Sequence, residues 1–192
     1  MTTAVGSIGE RGHGIQATAG TRRLHDRLLR QVERLGELAA GPGEELLTHA
    51  EVVSAWSVAE HLEHLVLSDR AMLGGLDRLL AGPPPEPIPG VNIWGRLVLL
   101  SGFLPRGKGR ATKPFLPSSG AIEPVRQGIE EIEHRLRALG GRLGELERAP
   151  GRFKHLLFGG LGSVQWLRVL EIHHHHHLKI IRDIRDTLGF TT

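Results

Sequence analysis

The stretch WLRVLEIHHHHHLKIIRDIRDTL, residues 166–188, decides the fold. Trp166, Leu170, His173, His177, Ile180 and Ile184 recur at alternating steps of four and three. At about 3.6 residues per turn this places them on one stripe of a helix, the stripe that faces a core. A purification tag would sit at a terminus, whereas this histidine run lies inside a continuing apolar pattern. Of its five members only His173 and His177 are four apart. They stack on the inward face, where two imidazoles can share one metal ion. An inward imidazole without a partner is costly, so a pair of them calls for an explanation.

Working outward, the rest of the chain supplies three more helical seams. Leu24, Leu28, Val32, Leu35 and Leu38 give a first helix over residues 21–40, stopped by Gly41-Pro42-Gly43, with His25 expected on its surface flank. Ser57-Val58-Ala59-Glu60 fits a capping box and opens a second helix. Its seam runs Val58, Leu62, Leu65, Asp69, Met72, Leu76, Leu79, with His61 and His64 on one flank. Asp69 sits on the seam itself, so a hydrogen-bond donor or a cation is expected beside it. A third helix opens at Glu123-Pro124 and follows Val125, Ile129, Ile132, Leu136, Leu139, Leu143 and Leu146 to Pro150-Gly151. Ser163 is expected to cap the fourth.

Between the second and third helices, the prolines of residues 82–90 make a stiff connection. The apolar run 93–104 reads as a short extra helix, and residues 105–114 as a loop with four positive charges. No run of alternating strands is visible. The expected fold is all-α, a four-helix bundle with a long crossover between helices 2 and 3 that carries the extra helix. Residues 1–20, small and polar, read as a flexible arm before a single domain over 21–192.

Composition narrows the function. Zero cysteines excludes disulfides and thiolate chemistry, leaving histidine and carboxylate as ligands for a transition metal. The 24 Lys and Arg against 21 Asp and Glu make a balanced surface, and with 4% aromatic residues a nucleic-acid platform has little support. No apolar run approaches the roughly 18 residues of a membrane span, and the N-terminus lacks an export signal, so a cytoplasmic protein with no membrane partner is expected. A catalytic metal usually takes a third protein ligand. The candidates are His61 and His64, and seam position alone favours His61.

Trp56-Ser57-Val58-Ala59-Glu60-His61-Leu62-Glu63-His64-Leu65 resembles the W-S-V-x-E-x-L-x-H-L motif of the DinB-like superfamily, which includes the bacillithiol and mycothiol S-transferases. Gln165-Trp166-Leu167-Arg168 through His173, His177, Leu178, Lys179 and Ile180 is similar to that family's last-helix motif. The segment from Trp94-Gly95-Arg96 to Lys113-Pro114 resembles the crossover of one branch. The resemblance spans roughly residues 21–188 and implies a divalent metal, commonly nickel or zinc, inside a four-helix bundle. By motif position its ligands are His64, His173 and His177, with His61 flanking. The run departs from the family's pattern at His174, His175 and His176, and His174 with His177, three apart, forms a second pair able to converge. The middle three are expected to be exposed or to flank the ligands. The resemblance further implies a thiol-dependent S-transferase or a hydrolase, with a small-molecule substrate such as a low-molecular-weight thiol. A non-catalytic metal-binding bundle acting in dimerisation or ligand sensing is the other reading. The family's naming after DNA damage suggests nucleic-acid contact through the basic loop as a weaker one. Glu60 and Glu63 are expected to serve as capping and surface residues rather than as a general base.

Overall fold

A computed structural model of the chain describes residues 16–82, 87–107, 111–118 and 120–190. Most of the arm expected over residues 1–20, the centre of the proline run, and Lys108 and Arg110 of the basic loop lie outside the described residues.

The described residues are mainly α-helical, in the order α1 (Ala19–Ala39), α2 (Gly43–Leu47), α3 (Val58–Ala81), α4 (Ile93–Ser101), α5 (Ile122–Gly140), α6 (Leu143–Arg148), β1 (Phe153–His155), β2 (Gly159–Leu161) and α7 (Ser163–Leu188). α1 and α3 each pack against both α5 and α7. The four apolar seams meet in one core, in which Leu28, Leu35, Leu65, Leu76, Ile132, Leu136 and Leu167 are fully enclosed.

Local chemistry sets the helix ends. Thr18 caps α1 by accepting the Thr21 amide hydrogen at 3.3 Å, and both threonine hydroxyls donate to the Glu147 carboxylate of α6. α3 opens on the expected capping box: Glu60 N–H donates to Ser57 Oγ at 3.3 Å and Ser57 N–H to Glu60 Oε2 at 2.8 Å. At α7 the expectation fails by one residue. Gly162 is the cap, while Ser163 is the first helical residue and turns its hydroxyl to the Leu146 carbonyl.

Two further expectations are corrected, and one small element is added to them. The third helix does not run unbroken to Pro150 but stops at Gly140, and its seam resumes in α6 with Leu143 and Leu146 still buried. His25, expected at the surface, is buried beside this break. Its Nε2–H donates to the Leu136 carbonyl at 2.8 Å, and its ring lies where a Cβ on residue 140 would be only 3.1 Å away. Two adjacent glycines already weaken the helix there. Finally, β1 and β2 form an antiparallel hairpin of three-residue strands, Phe153 opposite Leu161 and His155 opposite Gly159, too short to show an alternating pattern. The hairpin supports the crossover, for Val91 bridges to Gly159 and Gly160 N–H donates to the Pro89 carbonyl at 3.1 Å.

α5 approaches α3 closely at Gly128, where an added Cβ would stand 2.4 Å from Val66 Cγ1. Gly128→Ala should therefore destabilise the protein by about 1–3 kcal/mol, because a packed core resists an extra methyl. Gly74→Ala, where a Cβ meets nothing within 4 Å, should be neutral or slightly stabilising. Urea unfolding of the two variants side by side checks this. Among the described residues no helix is long and apolar enough to cross a membrane.

Candidate metal centre

The inward stripe of α7 is present as read: Trp166, Leu170, His177, Ile180 and Ile184 are buried, and His173 is partly buried. α3 presents His61 and His64 to the same place. One ligand nitrogen from each of His64, His173 and His177 falls within 4.8 Å of the others. The His177 ring centre lies 4.7 Å from that of His64 and 4.6 Å from that of His173.

The hydrogen bonds behind the rings decide which nitrogens are free. His64 Nδ1–H donates to the Phe115 carbonyl at 2.6 Å. That carbonyl belongs to a short 3-10 turn of the crossover, residues Lys113–Phe115, which packs on α3. His64 Nε2 therefore keeps its lone pair and faces His173 Nε2 at 3.2 Å. Two nitrogen ligands about 2.0–2.1 Å from a tetrahedral metal stand roughly 3.3 Å apart, so this pair is already spaced to hold one.

His61 lies behind His177, the two Nδ1 atoms 2.9 Å apart, and its Nε2 is 2.9 Å from Ser54 Oγ. Ser54 Oγ also accepts the Trp56 amide hydrogen at 3.1 Å. Run in one direction, His61 Nε2–H donates to Ser54 and His177 Nδ1–H donates to His61, leaving His177 Nε2 with its lone pair. A partner on the far nitrogen is the usual way a protein fixes a ligating imidazole. Trp56 packs its ring against both His61 and His64, at 5.3 and 5.1 Å between centres.

His174 departs from expectation. It is 0% exposed, and its Nε2–H donates to Asp69 Oδ2 at 2.7 Å, with Asp69 itself 1% exposed. This is the partner that Asp69 required, and it turns the His174 ring away from any shared site with His177. His175 is exposed and His176 is half-buried. Neither glutamate of the α3 motif is a spare base. Glu60 is in the capping box, and Glu63 anchors the crossover by accepting from Ser118 N–H at 3.0 Å, Ser118 Oγ–H at 2.8 Å and Gly120 N–H at 2.8 Å.

Chain pattern could not show the Phe115 carbonyl, which is backbone, or Ser54, which stands in an irregular connection. The His174–Asp69 pair was half visible, since only Asp69 was out of place.

The chain matches the DinB superfamily over residues 22–181. It belongs to that superfamily. No curated protein and no solved structure matches it. In this DinB-superfamily protein the buried three-histidine group could bind a divalent metal. The donors suit one: three nitrogens, none of them charged at neutral pH. Burial drives His173 and His177 well below the usual imidazole pKa, with the neighbouring histidines adding to the effect. Burial also lowers His64, partly opposed by the Phe115 hydrogen bond and by Asp69. His61 falls from 6.5 to about 3, chiefly through burial and then through His64, His176 and Arg106. Away from the cluster, burial takes His155 to about 4.

These shifts set the acid limb of stability. A histidine held neutral in the fold but free to protonate when unfolded adds no cost above pH 6.5. Below that the unfolded chain gains protons that the folded one refuses, at about 1.4 kcal/mol per pH unit for each such residue. For His155 the loss runs from pH 6.5 to about 4 and for His61 to about 3. The metal-free protein should therefore lose thermal stability steadily from pH 6.5 to 4, with no comparable fall from pH 8 to 7, as a melting series in matched ionic strength would show.

Proposed function

We propose that His64, His173 and His177 bind a divalent transition metal, nickel or zinc, and that the protein is a metal-dependent enzyme, an S-transferase acting with a low-molecular-weight thiol or a hydrolase. The observation that carries this is the convergence of three neutral imidazole nitrogens within 4.8 Å, two of the residues buried. A metal on three neutral ligands retains its charge, and when bound would acidify a water or a thiol at its open positions. The protein's own part is positioning. The Phe115 carbonyl orients His64, and His61 with Ser54 orients His177. Trp56 packs against His61 and His64, and Arg106, placed near His61 and His176 and tied to Asp183 at 2.6 Å, adds positive charge on the crossover side.

The same reading takes α1, α3, α5 and α7 as a four-helix bundle closed by the 82–121 crossover, forming one cytoplasmic domain over residues 21–192. The test is a turnover screen on tag-free protein, metal-free and then loaded with zinc or nickel. Low-molecular-weight thiols are paired with electrophiles in one arm, and simple esters and amides are offered in the other. Metal-dependent turnover in either arm supports the proposal.

The commitment of both nearby glutamates to structural bonds favours a second reading, a metal-stabilised bundle without catalysis that dimerises or senses a small ligand. It predicts stoichiometric metal and a raised melting temperature with no turnover in either arm.

A further inference from the structure

α4 is turned the wrong way for a soluble helix. Its buried residues are Gly95 and Val98, while Ile93, Trp94, Leu97 and Leu100, with Phe103 just beyond, are between 51% and 85% exposed. At 100° per residue Ile93, Leu97 and Leu100 share the outermost face, Arg96 edges it on one side and Trp94 on the other. The hairpin adds Leu156 and Leu157, 69% and 55% exposed, directly beside the start of α4. There Asn92 Nδ2–H donates to the Leu157 carbonyl at 2.8 Å and Asn92 N–H to the Phe158 carbonyl at 2.9 Å. Seven large apolar side chains on one helix, its C-terminal flank and the adjoining hairpin turn are thus more than half exposed, more than isolated surface leucines would account for.

Charge says what covers it. Between Glu86 and Glu123 the chain has no acidic residue and five basic ones, and between Glu147 and Glu171 again none and four. These are the two segments that form the patch. Arg106 and Arg168 are tied to Asp183 and Glu171, but Arg96 on α4 and Arg152 and Lys154 at the start of the hairpin are exposed. A second copy of this face would set Arg96, Arg152 and Lys154 against their own counterparts, the neighbouring Asp183 and Glu171 being already engaged by Arg106 and Arg168. Short helices with an apolar face and a basic fringe bind instead in the headgroup plane of anionic bilayers.

We propose that α4 and the β1–β2 hairpin tip form a docking surface for an anionic lipid bilayer, with Ile93, Trp94, Leu97, Leu100 and Leu157 entering the interface and Arg96, Arg152 and Lys154 meeting the headgroups. The sequence expectation of no membrane partner rested on the lack of a spanning stretch, and a nine-residue interfacial helix is invisible to that criterion. The surface does not depend on the metal reading.

The test is co-sedimentation of the full chain with extruded vesicles of phosphatidylcholine alone or mixed with phosphatidylglycerol. Trp94 is the most exposed of the three tryptophans and reports entry by a blue shift of emission. Binding should require phosphatidylglycerol and weaken with added salt. Leu100→Glu should cut the partition about tenfold by removing one inserted leucine. Arg96→Glu and Lys154→Glu should each cut it several-fold. All three side chains are exposed, so circular dichroism and melting should match the parent. No binding, equal binding to neutral vesicles, or full binding by Leu100→Glu overturns the proposal. So does a dimer in sedimentation equilibrium that Leu100→Glu dissociates while vesicles go unbound, which would give the face to a second copy.

Discussion

His64→Ala should abolish stoichiometric metal binding, with an affinity loss of at least about a hundredfold measured by competition with a chromophoric chelator on tag-free protein. His64 is the sole member of the cluster from α3, and its removal leaves only two imidazoles on a single helix. The pentahistidine run makes controls essential, since adjacent histidines can take up metal weakly without forming a site. His175→Ala is the appropriate one: the residue is exposed on the outer side of α7 and should leave affinity unchanged. His61→Phe should fall between, about 10–100-fold weaker, because it removes the partner that fixes the His177 ring without removing a nitrogen of the cluster. If His61→Phe proves the most damaging of the three, the ligand set is wrong and His61 belongs in it. Loss of affinity in His175→Ala would mean that the run binds metal as a tag does.

Asp69→Ala should cost about 3–5 kcal/mol of stability, the largest loss expected from any single substitution considered, because it leaves the His174 ring fully enclosed opposite nothing. The pair is already imperfectly satisfied: Asp69 Oδ1 and His174 Nδ1 find no partner among the described residues. It therefore adds less to stability than its removal on one side would take away. Replacing both partners, Asp69→Leu with His174→Leu, should recover most of the loss, since a buried polar pair exchanged for apolar side chains is often neutral. Denaturant midpoints for the single and double variants decide it, and simple additivity of the two single losses would refute the account. The pair also has a geometric role. Asp69 is five residues from His64 and His174 is adjacent to His173, so their bond locks the rotation of α7 against α3 and with it the direction in which His173 and His177 point.

The long-range logic of this fold was open to reading because it is periodic. A seven-residue recurrence over twenty residues can be satisfied in only one way, and the inward phase of His173 and His177 followed from it before any partner was identified. The α3 capping box was equally plain, since its two bonds are made by residues three apart. What escaped was set by contacts between distant segments. His25 looks like any flank residue of an amphipathic helix until the Leu136 carbonyl and the bare surface of Gly140 are brought against it. α5 ends beside that encounter, at Gly140 and Gly141, although its apolar seam continues. α2 and the hairpin strands, five and three residues long, are below the length at which a period can be recognised. Choosing His64 over His61 was a matter of a single turn. Seam position favoured His61, and only motif order pointed to His64. The physical difference is on the opposite side of each ring, where His64 meets a backbone carbonyl and His61 meets another imidazole.

Glu63 and His64 are consecutive on α3, and between them they grip the crossover at Phe115, Ser118 and Gly120. The roof over the histidines is thus riveted at its C-terminal end by one dipeptide. If the metal reading holds, a residue that would bind the ion and the residue that anchors the crossover are chain neighbours, so any shift of α3 would carry both together.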